Sequence, residues 1–191
     1  MSRDGPRAGV LVAVVGPSGV GKDAVMAGAA RHPMLDARVL FARRTVTRAA
    51  APGAEDHDTL DEAGFARAEA GGAFALTWAA HGLRYGLPRS ARDEVARGRV
   101  VVANLSRRAL GDAAAVFGRL RVVEVAARPE VLLARLSARG REDAAAVRAR
   151  LARQVPVAVP AGAEGHLLLD NSGPLDAAVA GLVGHLNGLC G

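Results

Sequence analysis

Lysine is almost missing from this 191-residue chain: of its 25 basic residues only Lys22 is a lysine, and the rest are arginine. Cysteine is equally scarce, with Cys190 alone, so a disulfide framework is excluded. Four Phe, one Trp and one Tyr are too few for a platform on which single-stranded bases stack. Long apolar runs are also lacking. The stretch 9–15 holds seven aliphatic or glycine residues, whereas a bilayer span needs roughly 20. It leads into Gly16-Pro17-Ser18-Gly19 rather than a small-residue cleavage site, which argues against a secretory leader. No short repeat supports a fibre. The chain is therefore expected to be soluble and cytoplasmic, without a membrane partner. A net charge of +6 and a pI near 11 invite a polyanionic partner. Arginine replaces lysine almost throughout an alanine-rich sequence, however, and arginine never deprotonates, so compositional bias accounts for the pI. No nucleic-acid partner is expected, and the chain is expected to be a monomer or homodimer.

What is present is a chain that is 50% hydrophobic and 23% charged, enough for one globular domain spanning 1–191 with its own core. Residues 10–15 form a continuous aliphatic run of the kind buried on both faces of a parallel sheet. Further strands are expected at 39–41, 100–103, 121–126 and 166–169, with a hairpin in 73–85 turning at His81-Gly82. Helices are expected at 23–30, 61–71, 90–97, 107–117, 129–139, 142–154 and 175–186. Residues 43–58 are polar and without period. Strands alternating with helices imply an α/β fold, a parallel sheet flanked by helices. The polar segment 43–90 is placed for a small substrate-binding insertion.

Residues 16–23, Gly16-Pro17-Ser18-Gly19-Val20-Gly21-Lys22-Asp23, read G-x-x-x-x-G-K followed by Asp. An aliphatic strand enters and a helix leaves, the context a phosphate-binding loop requires. Glycines allow successive backbone N–H groups to turn inward around an anion, and the helix N-terminus adds its positive dipole end. Lys22 is the expected catalytic cation, following charge as a phosphoryl group migrates. A compact ammonium has been kept at the one place where a planar guanidinium does not fit. Asp23 stands where a hydroxyl normally helps hold Mg²⁺. Its carboxylate can offer a hard oxygen to that ion, or can simply favour the first turn of the helix.

Arg135, Arg139, Arg141, Arg148, Arg150 and Arg153 crowd the segment 135–153. There they suit an arginine-rich lid over a triphosphate, with Arg139 and Arg141 as catalytic candidates. Each arginine alone fits a solvated helix equally well. His57 and His81 lie in polar loops, and His32, His166 and His185 receive no role. Trp78 and Phe74 read as core.

Together these residues resemble the guanylate-kinase branch of the P-loop small-molecule kinases. The resemblance runs through the loop, Arg44-Thr45-Val46-Thr47-Arg48, Pro52-Gly53-x-Glu55-Asp56, Gly72-x-Phe74, Trp78-Ala79, Gly82-x-x-Tyr85-Gly86 with Pro88, Arg135-Leu136-x-x-Arg139-Gly140-Arg141 and Asn171. It departs from guanylate kinases at Asp23, at Thr77 where a guanine-reading Glu is expected, and at Asn104 where an Asp is expected. Gly21-Lys22-Asp23, Thr47-Arg48, Glu55-Asp56-His57, His81-Gly82-Leu83-x-Tyr85-Gly86 and Asn104-x-Ser106-Arg107 are instead similar to the ribose 1,5-bisphosphate phosphokinase family. That resemblance implies a P-loop NTPase fold and a phosphotransferase with a phosphate acceptor. It implies transfer from ATP, with Mg²⁺, to a sugar bisphosphate in phosphonate breakdown. It implies Asn171 near the adenine, with Arg44, Arg48, Asp56, His57, Tyr85, Asn104, Ser106 and Arg107 toward the acceptor. The other readings are a GMP kinase and a non-catalytic nucleotide-binding module.

Overall fold

The computed structural model describes residues 8–48, 58–138 and 157–191. Its centre is a five-stranded sheet, every neighbouring pair parallel. The strands are β1 (Val10–Val15), β2 (Val39–Phe41), β7 (Val100–Asn104), β8 (Leu120–Ala126) and β9 (Ala163–Asp170), in the order β2-β7-β1-β8-β9. Strand β1 is central because all six of its residues are aliphatic and buried, so either face can be covered. Val10, Val12 and Val14 face one core with α1 (Lys22–Ala30) and α6 (Leu175–Cys190). Leu11, Ala13 and Val15 face the other with α3 (Arg89–Ala96) and α4 (Leu110–Phe117). Helices α1 and α6 pack closely at Gly28, where a Cβ would meet Val179 Cγ2 at 2.5 Å.

A second sheet of four strands stands beside the first, in the order β4-β3-β6-β5. It consists of β3 (Thr45–Val46), β4 (Asp58–Thr59), β5 (Phe74–Ala80) and β6 (Leu83–Pro88). The expected hairpin turns at His81 (φ 54°) and Gly82 (φ 72°), the paired positive φ values that two-residue hairpins favour. Helix α2 (Glu62–Ala70) starts on Asp61, whose carboxylate accepts from the Gly64 N–H at 2.6 Å, and Phe65 stacks on Phe74 at 4.8 Å. The polar stretch 43–58 holds two strand pieces that its sequence did not suggest. Two-residue strands are too short to show a period; β3 forms because the edge of β6 offers partners (Thr45↔Gly86, Val46↔Tyr85), and β4 in turn pairs with β3 (Thr45↔Asp58, Val46↔Thr59).

Helix α5 (Pro129–Ala138) begins on proline as expected. The segment expected as helix 107–117 opens as a 3₁₀ turn, Arg107–Ala109, before α4. The expected helix 142–154 lies outside the described residues. Among the described residues no helix is long and apolar enough to cross a membrane. A cavity of about 460 Å³ lies at the N-terminal edge of β1 and β7, away from the phosphate loop. Three of the four arginines that line it pair with carboxylates: Arg38 with Asp36 at 3.0 Å, Arg119 with Glu164 at 2.6 Å, and Arg97 with Glu94. Hydrogen bonds from Arg38 hold the Asp36 carboxyl at about 2.

Candidate active site

The loop between β1 and α1 lies at the carboxyl end of the central strand, where open parallel sheets bind ligands. Gly16 (φ 147°), Gly19 (φ 84°) and Gly21 (φ 94°) turn the chain, and Gly21 is the N-cap of α1. Lys22 Nζ donates to the carbonyls of Gly16 at 2.8 Å and Pro17 at 3.0 Å, which draws the only ammonium side chain back across the loop. The first-turn amides of α1 have no carbonyl partner within their own helix, so the loop offers donors and positive charge together.

The loop is braced from behind. Val20 is fully buried, and its carbonyl accepts from Asn171 Nδ2 at 2.8 Å and from Arg135 Nη1 at 3.3 Å. Asn171 is only 2% exposed, and its backbone N–H donates to the Ala126 carbonyl at 2.7 Å. A Cβ on Gly21 would lie 2.6 Å from Asn171 Nδ2, and one on Gly19 would lie 2.6 Å from Leu136 Cδ2. Arg135 therefore reaches the loop from α5, a contact that residue spacing alone does not reveal.

On the opposite side of the loop, Asn104 Nδ2 donates to Asp23 Oδ1 at 2.7 Å. Asn104 ends β7 and is 8% exposed, while Asp23 is half-buried. The backbone carbonyl of Asn104 accepts from Arg44 Nη1 at 3.3 Å, and the Arg44 guanidinium lies 5.4 Å from the centre of the Tyr85 ring. Tyr85 in turn stacks on Trp78 at 5.3 Å. Four residues expected at the site (Asp23, Asn104, Arg44 and Tyr85) thus form one continuous contact chain from the phosphate loop to the small sheet.

The remaining expected residues are more dispersed. Arg107 lies 3.7 Å from Glu124 on β8, and His166, to which sequence assigned no role, pairs with the same carboxylate at 3.2 Å. Ser106 Oγ is buried with no hydrogen-bond partner among the described residues. Arg48 is exposed at the end of the segment after β3. Thr77 Oγ1 donates to Glu69 Oε1 at 2.8 Å, and Arg84 pairs with the same glutamate. Hydrogen bonding from Thr77, then Arg84, lowers the Glu69 carboxyl below its ordinary value. Asp56, His57, Arg139 and Arg141 lie outside the described residues.

A ribose 1,5-bisphosphate phosphokinase of Brucella melitensis biotype 2 is 49% identical over 187 residues, covering 98% of this chain and 96% of the relative. The chain belongs to the ribose 1,5-bisphosphate phosphokinase family. A second family member, from Rhizobium etli, is 46% identical over 185 residues, 97% of this chain and 93% of that protein. No family model matches the chain. Among solved structures, guanylate kinase from Anaplasma phagocytophilum superposes with a TM-score of 0.67 at 17% identity, over 95% of this chain and 86% of that one. That likeness shows the fold alone, an α/β P-loop NTPase fold with a mostly parallel central sheet flanked by helices.

Proposed function

We propose that this protein transfers the γ-phosphoryl group of ATP to the 1-phosphate of ribose 1,5-bisphosphate. The products are 5-phosphoribosyl 1-diphosphate and ADP. The observation that carries this reading is near-full-length similarity to enzymes of that name, combined with an intact phosphate loop whose lysine is held across it. An acceptor phosphate oxygen forms the new bond to the γ-phosphorus, and the bond to the β–γ bridging oxygen breaks as ADP leaves. The attacking oxygen is already anionic, so no general base is required. Positioning and charge neutralisation are the protein's task.

In this reading the backbone of residues 16–23 cradles the phosphates, with Lys22 at the transferring group and Asn171 and Arg135 keeping the loop in shape. Arg44, Arg48, Tyr85, Ser106 and Arg107 serve the acceptor, and from outside the described residues so do Asp56 and His57. Arg139 and Arg141 serve as the closing cations in a lid over 135–153. Among the described residues no three His, Cys, Asp or Glu side chains come together. Mg²⁺ ordinarily rests on one or two carboxylates, with phosphate oxygens and water completing its shell. The half-buried Asp23 carboxylate fits that donor set, and the ion would supply charge neutralisation at the phosphates. The reading places the enzyme in the cytoplasm, as a single domain over 1–191 serving phosphonate catabolism.

The test is ADP release from ATP and Mg²⁺ with ribose 1,5-bisphosphate, with GMP, and with no acceptor. Release that depends on the sugar bisphosphate supports the proposal. Turnover with GMP alone reassigns the acceptor, and background rates in all three arms refute a kinase.

A further inference from the structure

Loop kinases of this kind generally hold their divalent ion with the hydroxyl that follows the loop lysine and with an acid on a neighbouring strand. Here both positions are filled by the opposite chemistry. Asp23 follows the lysine, and the neutral residue, Asn104, ends β7, the strand paired directly with β1 (Val14↔Asn104). The two side chains meet, with Asn104 Nδ2 at 2.7 Å from Asp23 Oδ1. The formal charge of the pair is the same as in the usual arrangement, one acid beside one neutral group.

An amide donor on one carboxylate oxygen limits rotation of the group. Asn104 suits this role because it is buried and its backbone is held twice. Its main chain lies in the β1 ladder, and its carbonyl accepts from Arg44 at 3.3 Å. Asp23 sits in the first turn of α1, where the helix dipole also favours a negative charge. A carboxylate beside a polyphosphate is repulsive unless a cation lies between them. Its orientation therefore decides whether the site attracts or repels nucleotide.

We infer that Asn104 is a positioning residue, which aims the Asp23 carboxylate at the divalent cation carried by the nucleotide, with acid and neutral partner in transposed places. The inference rests on the ATP reading above, but it is separable from it. Wild-type protein that transfers no phosphoryl group from ATP overturns that reading, whatever the Asn104 variants do.

The experiment measures Mn²⁺ binding to the full chain in the presence of ADP, by electron paramagnetic resonance, together with ADP affinity in chelator. Neither readout requires turnover. Asp23→Ser and Asn104→Ala should each weaken Mn²⁺ by about 10-fold or more, the usual scale for losing a ligand's orienting partner, while metal-free ADP affinity does not fall. Asn104→Asp alone sets two carboxylates in contact. The double variant Asp23→Ser/Asn104→Asp restores one acid and one hydroxyl and should recover Mn²⁺ affinity to within about fivefold of wild type. The inference is overturned if Asn104→Ala binds Mn²⁺ normally. It is equally overturned if the double variant, folded by thermal melt, is no better than Asp23→Ser. Should the double variant not fold, Asn104→Ala and Asn104→Ser decide alone, and only a loss in the former that exceeds the latter's is compatible with an orienting donor.

Discussion

Replacing Gly21 by alanine tests whether the phosphate loop is held by its supports or only by its glycines. Gly21 has φ 94° and ψ 20°, a left-handed conformation that costs an L-residue about 1–2 kcal/mol. The new Cβ would also lie 2.6 Å from Asn171 Nδ2, which cannot retreat because it is 2% exposed and bonded to the Val20 carbonyl at 2.8 Å. Displacing that amide breaks a buried hydrogen bond, a further loss of about 1–3 kcal/mol. The sum is about 2–5 kcal/mol of stability. Gly82 is the reference, since its φ is 72° and nothing lies within 4 Å of its would-be Cβ. Gly82→Ala should cost about 1–2 kcal/mol, and the smaller unfolded-state entropy of alanine enters both variants alike. Urea unfolding of both proteins gives the difference directly, and ATP affinity should fall for Gly21→Ala alone. Equal destabilisation of the two variants would refute the claim that Asn171 braces the loop.

Two further outcomes are expected. Lys22→Ala should lower kcat by about 100-fold or more, with melting temperature nearly unchanged, and Lys22→Arg should not restore turnover because a planar fork does not fit the collar of Gly16 and Pro17 carbonyls. Near-normal turnover in either variant would contradict the loop's role. Burial, and secondarily Arg121, lowers the His185 pKa below 6.5, and its Nε2 is buried with no hydrogen-bond partner among the described residues. The unfolded chain then binds the extra proton first, so His185 withdraws stability as pH falls below 6.5. His185→Leu should therefore gain on wild type between pH 7 and about pH 5 in melting temperature, and parallel profiles would refute this.

Local features of the fold were legible in the sequence. The aliphatic run of β1, the glycine loop and the hairpin at His81-Gly82 each carry their signal within a few residues. The contacts that organise the site do not. Asn104 meets Asp23 across 81 positions, and Asn171 meets Val20 across 151. No periodicity reports such pairs, because they follow from parallel strands delivering distant chain segments to one edge. The loop motif pointed to Asp23, and the family resemblance implied Arg44, Tyr85 and Asn104 as members of a site. Only the sheet order explains why they touch. Glu124 carries no sequence signal for a related reason: it is the single acid in a mostly aliphatic strand, and its meaning comes from its contacts with Arg107 and His166. The four-residue small sheet segment of β3 and β4 is similar, since its strands exist only against β6 and β3.

The central claim is that the acceptor is the 1-phosphate of ribose 1,5-bisphosphate. Phosphorus-31 NMR of the pure enzyme with ATP, Mg²⁺ and ribose 1,5-bisphosphate tests it directly. The account predicts that the C1 phosphate resonance is replaced by the coupled pair of a diphosphate, in step with ADP, while the C5 phosphate is unchanged. Consumption of ATP with both sugar phosphate resonances intact, or a diphosphate formed at C5, would contradict it.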